Sequence, residues 1–108
     1  YNNAFADLEG LTFPQTDFED VTPFSYYVRV HSDRRSDFRK WLAGRGVDTG
    51  FHWPPGHKFT LFAGCRRGDL SVTNRVADEL VTLPLHSCMH TDAQERVIAA
   101  TRSFFGKD

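Results

Sequence analysis

Tyr26, Val28 and Val30 alternate with Tyr27, Arg29 and His31, so residues 25–31 read as a strand with one apolar face and one partly wet face. The period then lengthens. Phe38, Trp41 and Leu42 follow the i, i+3, i+4 spacing of a buried helical stripe, with Ser32 or Asp33 as its cap and Gly44 and Gly46 as its stop. Residues 47–53 return to a strand-like run, ended by Pro54 and Pro55, which have no amide hydrogen to give to a ladder. Val72, Val76 and Leu80 recur at fourfold spacing behind a capping Ser71, so 70–80 reads as an amphipathic helix, and 81–85 as a short apolar strand. Thr91 and Gln94 form a capping box for the closing helix, 91–105, whose Val97, Ile98, Thr101, Phe104 and Phe105 share one side until Gly106.

The start of the chain is less regular. Phe5 and Leu8 lie on one helical face ahead of Gly10, placed where a left-handed cap is expected. Residues 11–13 make a short strand stopped by Pro14, 15–20 a polar loop, 57–62 a short helical turn and 65–69 another polar loop. Strands separated by helical crossovers predict an α/β domain, a small sheet with helices covering one face. One core is what 108 residues can enclose.

Charge and composition narrow the function. Thirteen basic and fourteen acidic residues give a net charge of −1, which exerts no global pull on nucleic acid or an anionic membrane. Arg34, Arg35, Arg39, Lys40 and Arg45 are accounted for as mostly the solvated side of the helix that Gly44 and Gly46 end, so no nucleic-acid partner is expected. No apolar run reaches the roughly 18 residues that span a bilayer, and no signal-peptide pattern opens the chain; a cytoplasmic location without a membrane partner is expected. Cys65 and Cys88 are read as reduced thiols. Ten phenylalanines are many for this length and suggest rings that cover a docked surface. The first methionine is Met89 and the opening residues are already helical, so the chain is expected to be a fragment of a longer protein.

Candidate chemistry gathers at 46–57, where His52, Trp53, Pro54, Pro55 and His57 share one loop, answered by Leu83-Pro84-Leu85-His86. Two histidines, an indole and two rigid prolines make half of a binding site. His52, at a strand end, suits hydrogen bonding to a ligand rather than proton abstraction, against the plainer reading of a histidine tied to a backbone carbonyl. Trp53 suits stacking on a base or sugar, or plugging a joint with another domain. His57 suits contact with a substrate or phosphate across the proline turn, or plain solvation. His86, Cys88 and His90 offer zinc donors, but the spacing is not standard and a fourth ligand is missing, so no metal is expected. Arg66 and Arg67 read as a solvated loop.

Taken in order, the Arg35-to-Gly46 helix, the 47–57 strand and loop, the 70–80 helix, Leu83-Pro-Leu-His86 and the closing helix resemble the carboxyl-terminal small domain of the DegT/StrS-type sugar aminotransferases. These are fold-type I enzymes that use pyridoxal 5′-phosphate. The resemblance runs from about Phe24 onward and implies a division into 1–10, the end of an inter-domain linker helix, and 11–108, the small domain. It implies a large cofactor-binding domain lying outside the chain, a nucleotide-linked keto sugar as substrate, glutamate or a similar amino donor, and a homodimer when intact. It places His52 toward the sugar nucleotide, with Trp53 and His57 as further substrate contacts. Lys40, Lys58 and Lys107 lack the context of a Schiff-base lysine, so the implied catalytic residues and cofactor ligands lie outside these 108 residues, which alone are expected to be inactive. Two alternatives remain at this level: a non-catalytic ligand-binding or interaction module, and the related sugar dehydratase branch.

Overall fold

The computed structural model describes residues 1–107. The strands β1 (Leu11–Thr12), β2 (Tyr26–Val30) and β3 (Leu80–Leu83) form one antiparallel sheet in the order β1-β2-β3. Register follows the alternation in the sequence: Leu11 faces Val30, Val28 faces Val81 and Tyr26 faces Leu83, so six buried side chains share one face. Tyr27 and Thr82 pair on the other face, and neither is buried.

Helices α1 (Asn2–Phe5), α2 (Ser32–Ala43) and α4 (Thr91–Phe104) supply the other half of the core. Phe5 of α1, Phe38 and Leu42 of α2, and Val97 and Ala100 of α4 close over the apolar sheet face together with Leu8 and Val47. The predicted single core covered by helices is therefore present. The strand pairing is antiparallel even across the long β2 to β3 connection, so the sheet is not built from parallel crossover units.

Packing, not propensity, makes α1: four residues are too few to be helical alone. Tyr1 stacks on Phe5 with ring centroids 5.6 Å apart and leans on Tyr26 at 4.8 Å. The Tyr26 hydroxyl donates to Asn2 Oδ1 at 2.6 Å, and Arg102 from α4 donates to the Ala4 carbonyl and to Asp7, both at 2.7 Å. Burial raises both phenols, Tyr1 to about 12.

Several expected details shift. Residues 47–53 are not a strand; only Gly50 bridges β3, at Thr82, because the two prolines downstream leave no ladder to extend. The caps also move. His31, Leu70 and His90 occupy the three cap positions without capping side-chain bonds, and Gln94 donates its amide to the His90 carbonyl, so Thr91 lies inside α4 and no capping box forms. At α3 (Ser71–Glu79) the start is held by Asp69, whose carboxylate accepts the Ser71 amide at 2.9 Å and its hydroxyl at 3.1 Å. Those two bonds hold the Asp69 carboxyl below the ordinary carboxylate range. The amphipathic stripe of α3 buries nothing completely, and its Val72 is exposed. Positive φ at Gly10, Gly46 and Gly106 does match the expected stops, left-handed positions where a side chain would strain the turn.

Candidate functional site

Between 48 and 80 no residue is buried, so this segment is positioned by directional bonds rather than by enclosure. Val47, which is buried, anchors its entrance. Gly50 and Thr82 then exchange two backbone hydrogen bonds, 3.0 and 2.7 Å long, and fix the loop against the outer edge of β3. The His52–Trp53 peptide is cis.

That bridge and the loop beyond it form one side of an open cleft of about 600 Å³. Phe24 and Ser25, just ahead of β2, form a second side, and Thr82 to His86 a third. The volume lies in the range of small-molecule sites. Its lining is mixed: Leu83, Pro84 and Leu85 are apolar, while Ser25, Asp48, Thr49, Thr82, His52 and His86 bring hydrogen-bonding groups of both kinds.

His52 Nδ1 lies 3.3 Å from Thr82 Oγ1, close enough for the hydroxyl to hold one ring nitrogen and leave the other for a ligand. Its ring passes over Gly50 so closely that a Cβ there would collide with the imidazole. Glycine at 50 is thus a steric requirement for this histidine position. Trp53 meets His52 edge-on at 5.7 Å and stacks on Phe24 at 5.7 Å with 22° between the planes. The two stacked rings are 69% and 77% exposed, so they form an aromatic rim and not part of the core.

His57 lies elsewhere. Half-buried, it donates from Nε2 to Asn74 Oδ1 of α3 at 2.8 Å and does not line the cleft. Its neighbour Lys58 pairs with Asp78 at 3.6 Å, so both residues tie the proline turn to α3. His86 lies in the cleft wall, apart from any metal arrangement: the described residues contain no group of three or more metal-ligating side chains.

The structure therefore unites His52, Trp53 and His86 and separates His57 from them. Phe24, Ser25, Asp48, Thr49 and Thr82 join the cleft without having been singled out in the sequence. Thr82 carried a signal, since a lone hydroxyl in the apolar run Leu80 to Leu85 asks for a partner. Phe24 and Ser25 carried none, because antiparallel pairing, which brings the start of β2 beside the end of β3, is not encoded in a local pattern.

A small antiparallel sheet under helices, with a polar and aromatic cleft at its free edge, defines a small α/β domain. The profile of the DegT/DnrJ/EryC1/StrS aminotransferase family matches residues 1–102, and the chain belongs to that family. It is 33% identical over 108 residues to the dTDP-3-amino-3,4,6-trideoxy-alpha-D-glucose transaminase of Micromonospora megalomicea, covering 94% of this chain and 29% of that protein. A Streptomyces venezuelae protein of the same name is 31% identical over 107 residues, covering 96% and 28%. The crystal structure of S. venezuelae DesV in complex with a ketimine intermediate superposes with a TM-score of 0.85 at 29% identity, covering all of this chain and 30% of that one. The chain thus spans less than a third of the length of these relatives.

The cofactor of such enzymes does not fit the residues present. Lys40 pairs with Asp37 at 3.9 Å, Lys58 with Asp78 at 3.6 Å, and among the described residues no lysine lines the cleft.

Proposed function

We propose that this chain is the carboxyl-terminal small domain of a pyridoxal-phosphate-dependent aminotransferase acting on a dTDP-linked keto sugar, and that the His52 cleft is one wall of its substrate site. In this reading 1–10 end an inter-domain helix, 11–108 are the small domain, and a large domain supplies the lysine and the cofactor pocket. The observation that carries it is the cleft itself, set in a chain matched over nearly its whole length by transaminases named for dTDP-linked amino sugars. Glutamate or a similar amino donor, a cytoplasmic location and a homodimer belong to the same reading.

Within it, His52 binds and orients. One ring nitrogen is engaged by Thr82, and the other meets an oxygen of the substrate. Such a contact is made equally in ground and transition states, so it contributes to KM more than to kcat. Trp53, with Phe24, offers a flat apolar surface to a sugar or base. His57, held by Asn74, fixes the proline turn and does not meet substrate.

Grafting residues 1–108 in place of the segment they match in the Micromonospora protein tests the proposal. The graft is expected to transfer an amino group to a dTDP-linked keto sugar. A graft that folds and takes up pyridoxal phosphate, yet transfers none, overturns it.

A further inference from the structure

The cleft loop is gripped from behind by an arginine. Arg39, on α2, donates from Nε to Thr49 Oγ1 at 3.1 Å and from Nη2 to the Thr49 carbonyl at 3.3 Å. The same guanidinium lies 4.8 Å from the centroid of the Phe51 ring. Thr49 and Phe51 are the two neighbours of Gly50, so one planar side chain holds both flanks of the residue that bridges β3 and underlies His52. Arg35, one turn earlier on α2, adds a second cation over Phe51 at 5.5 Å and donates to the Ala77 carbonyl of α3. Neither arginine lines the cleft.

From this geometry we infer that Arg39 is a positioning residue for His52, setting the cleft's affinity for its ligand without touching that ligand. The inference rests on the reading of the cleft as a substrate wall. Its physical basis is the absence of burial between 48 and 80: with no enclosed side chain to hold the loop, its register depends on the Gly50 bridge on one side and Arg39 on the other. Gly50 gives the backbone no side-chain packing of its own, so the flanking grip decides where the imidazole rests. Arginine is required for this geometry. A lysine ammonium carries all its donors on one atom and does not span the Thr49 hydroxyl, the Thr49 carbonyl and the Phe51 ring as the extended guanidinium does.

The test follows the histidine ring signals of the 108-residue chain by NMR, and measures binding of thymidine 5′-diphosphate, the probe, on the graft with the Micromonospora protein, where the rest of the site is present. Arg39→Gln is expected to shift and broaden the His52 ring signals while those of His57 and His86 stay in place, and to weaken thymidine 5′-diphosphate binding at least fivefold. Arg39→Lys is expected to rescue neither. Phe51→Leu removes the ring from an exposed position and is expected to move the same His52 signals in part, which decides the matter if Arg39→Gln does not fold. His52 signals unchanged in the folded variant, with affinity retained, overturn the inference. If the unsubstituted graft shows no response to thymidine 5′-diphosphate, the substrate reading is at fault, and the His52 signals of the variants still decide whether Arg39 positions the ring.

Discussion

Phe38 and Leu42 of α2 are wholly enclosed, whereas Phe51 and Trp53, a few residues beyond the end of that helix, are 46% and 69% exposed. Both pairs are large and apolar, and only the first is used for folding. The sheet, α1, α2 and α4 share one enclosed cluster; the segment from 48 to 79 lies outside it and is attached by hydrogen bonds from Arg39, Arg35, Thr82 and, through Glu79, Arg29. Exposure of Trp53 follows from the work proposed for it, while Phe51 lies behind the cleft loop under the Arg39 guanidinium. A wall that meets a ligand must keep its rings out of the core, and it is then held by contacts that small changes can loosen.

The largest effect that would break this comparison lies in the core. Leu42→Ala is expected to cost about 2–5 kcal/mol in urea unfolding, because it leaves a cavity among enclosed neighbours. Trp53→Ala should cost no more than about 0.5 kcal/mol, as for surface substitutions elsewhere. Equal losses would show that the loop is structural after all.

Next in size is a gain. Thr101 is fully enclosed in α4 and its Oγ1 finds no hydrogen-bond partner among the described residues. Thr101→Val removes that unsatisfied hydroxyl and is expected to stabilise the chain by about 1 kcal/mol, read from the urea midpoint. Destabilisation would mean the hydroxyl has a partner.

The smallest effect is pH-dependent. Arg102 bonds Asp7 and holds its carboxyl below the ordinary carboxylate range. A depressed folded value means the stabilisation is present above the unfolded carboxylate range, about pH 4, and is lost as pH falls through the folded value. Asp7→Asn should therefore lower the melting temperature slightly at pH 7 and leave it unchanged at pH 2. A shift of the same size at both would assign the effect to something other than the ion pair.

How far the sequence could be read follows the same division. β2, α2 and α4 were legible because burial imposes a period: Tyr26, Val28 and Val30, or Phe38 and Leu42, are apolar for a reason that repeats. The 47–53 segment was misread as a strand because its apolar residues have another use, and a single bridge at Gly50 has no periodic signature. The caps fall ahead of the hydroxyl residues: His31 and His90 hold two of them with no side-chain bond, and at α3 the first-turn amide is accepted by Asp69 rather than by Ser71. His52 and Trp53 were identifiable from residue type and proline neighbours; their partners Thr82 and Phe24 required the antiparallel pairing that only the tertiary structure supplies.

The claim on which all of this turns is that His52 contacts substrate. Its most direct test is the KM for the dTDP-linked keto sugar in the graft with the Micromonospora transaminase, compared before and after His52→Ala. Loss of one hydrogen bond to substrate is expected to raise KM about tenfold with kcat nearly unchanged. A folded, cofactor-loaded His52→Ala graft with unaltered KM would contradict the account.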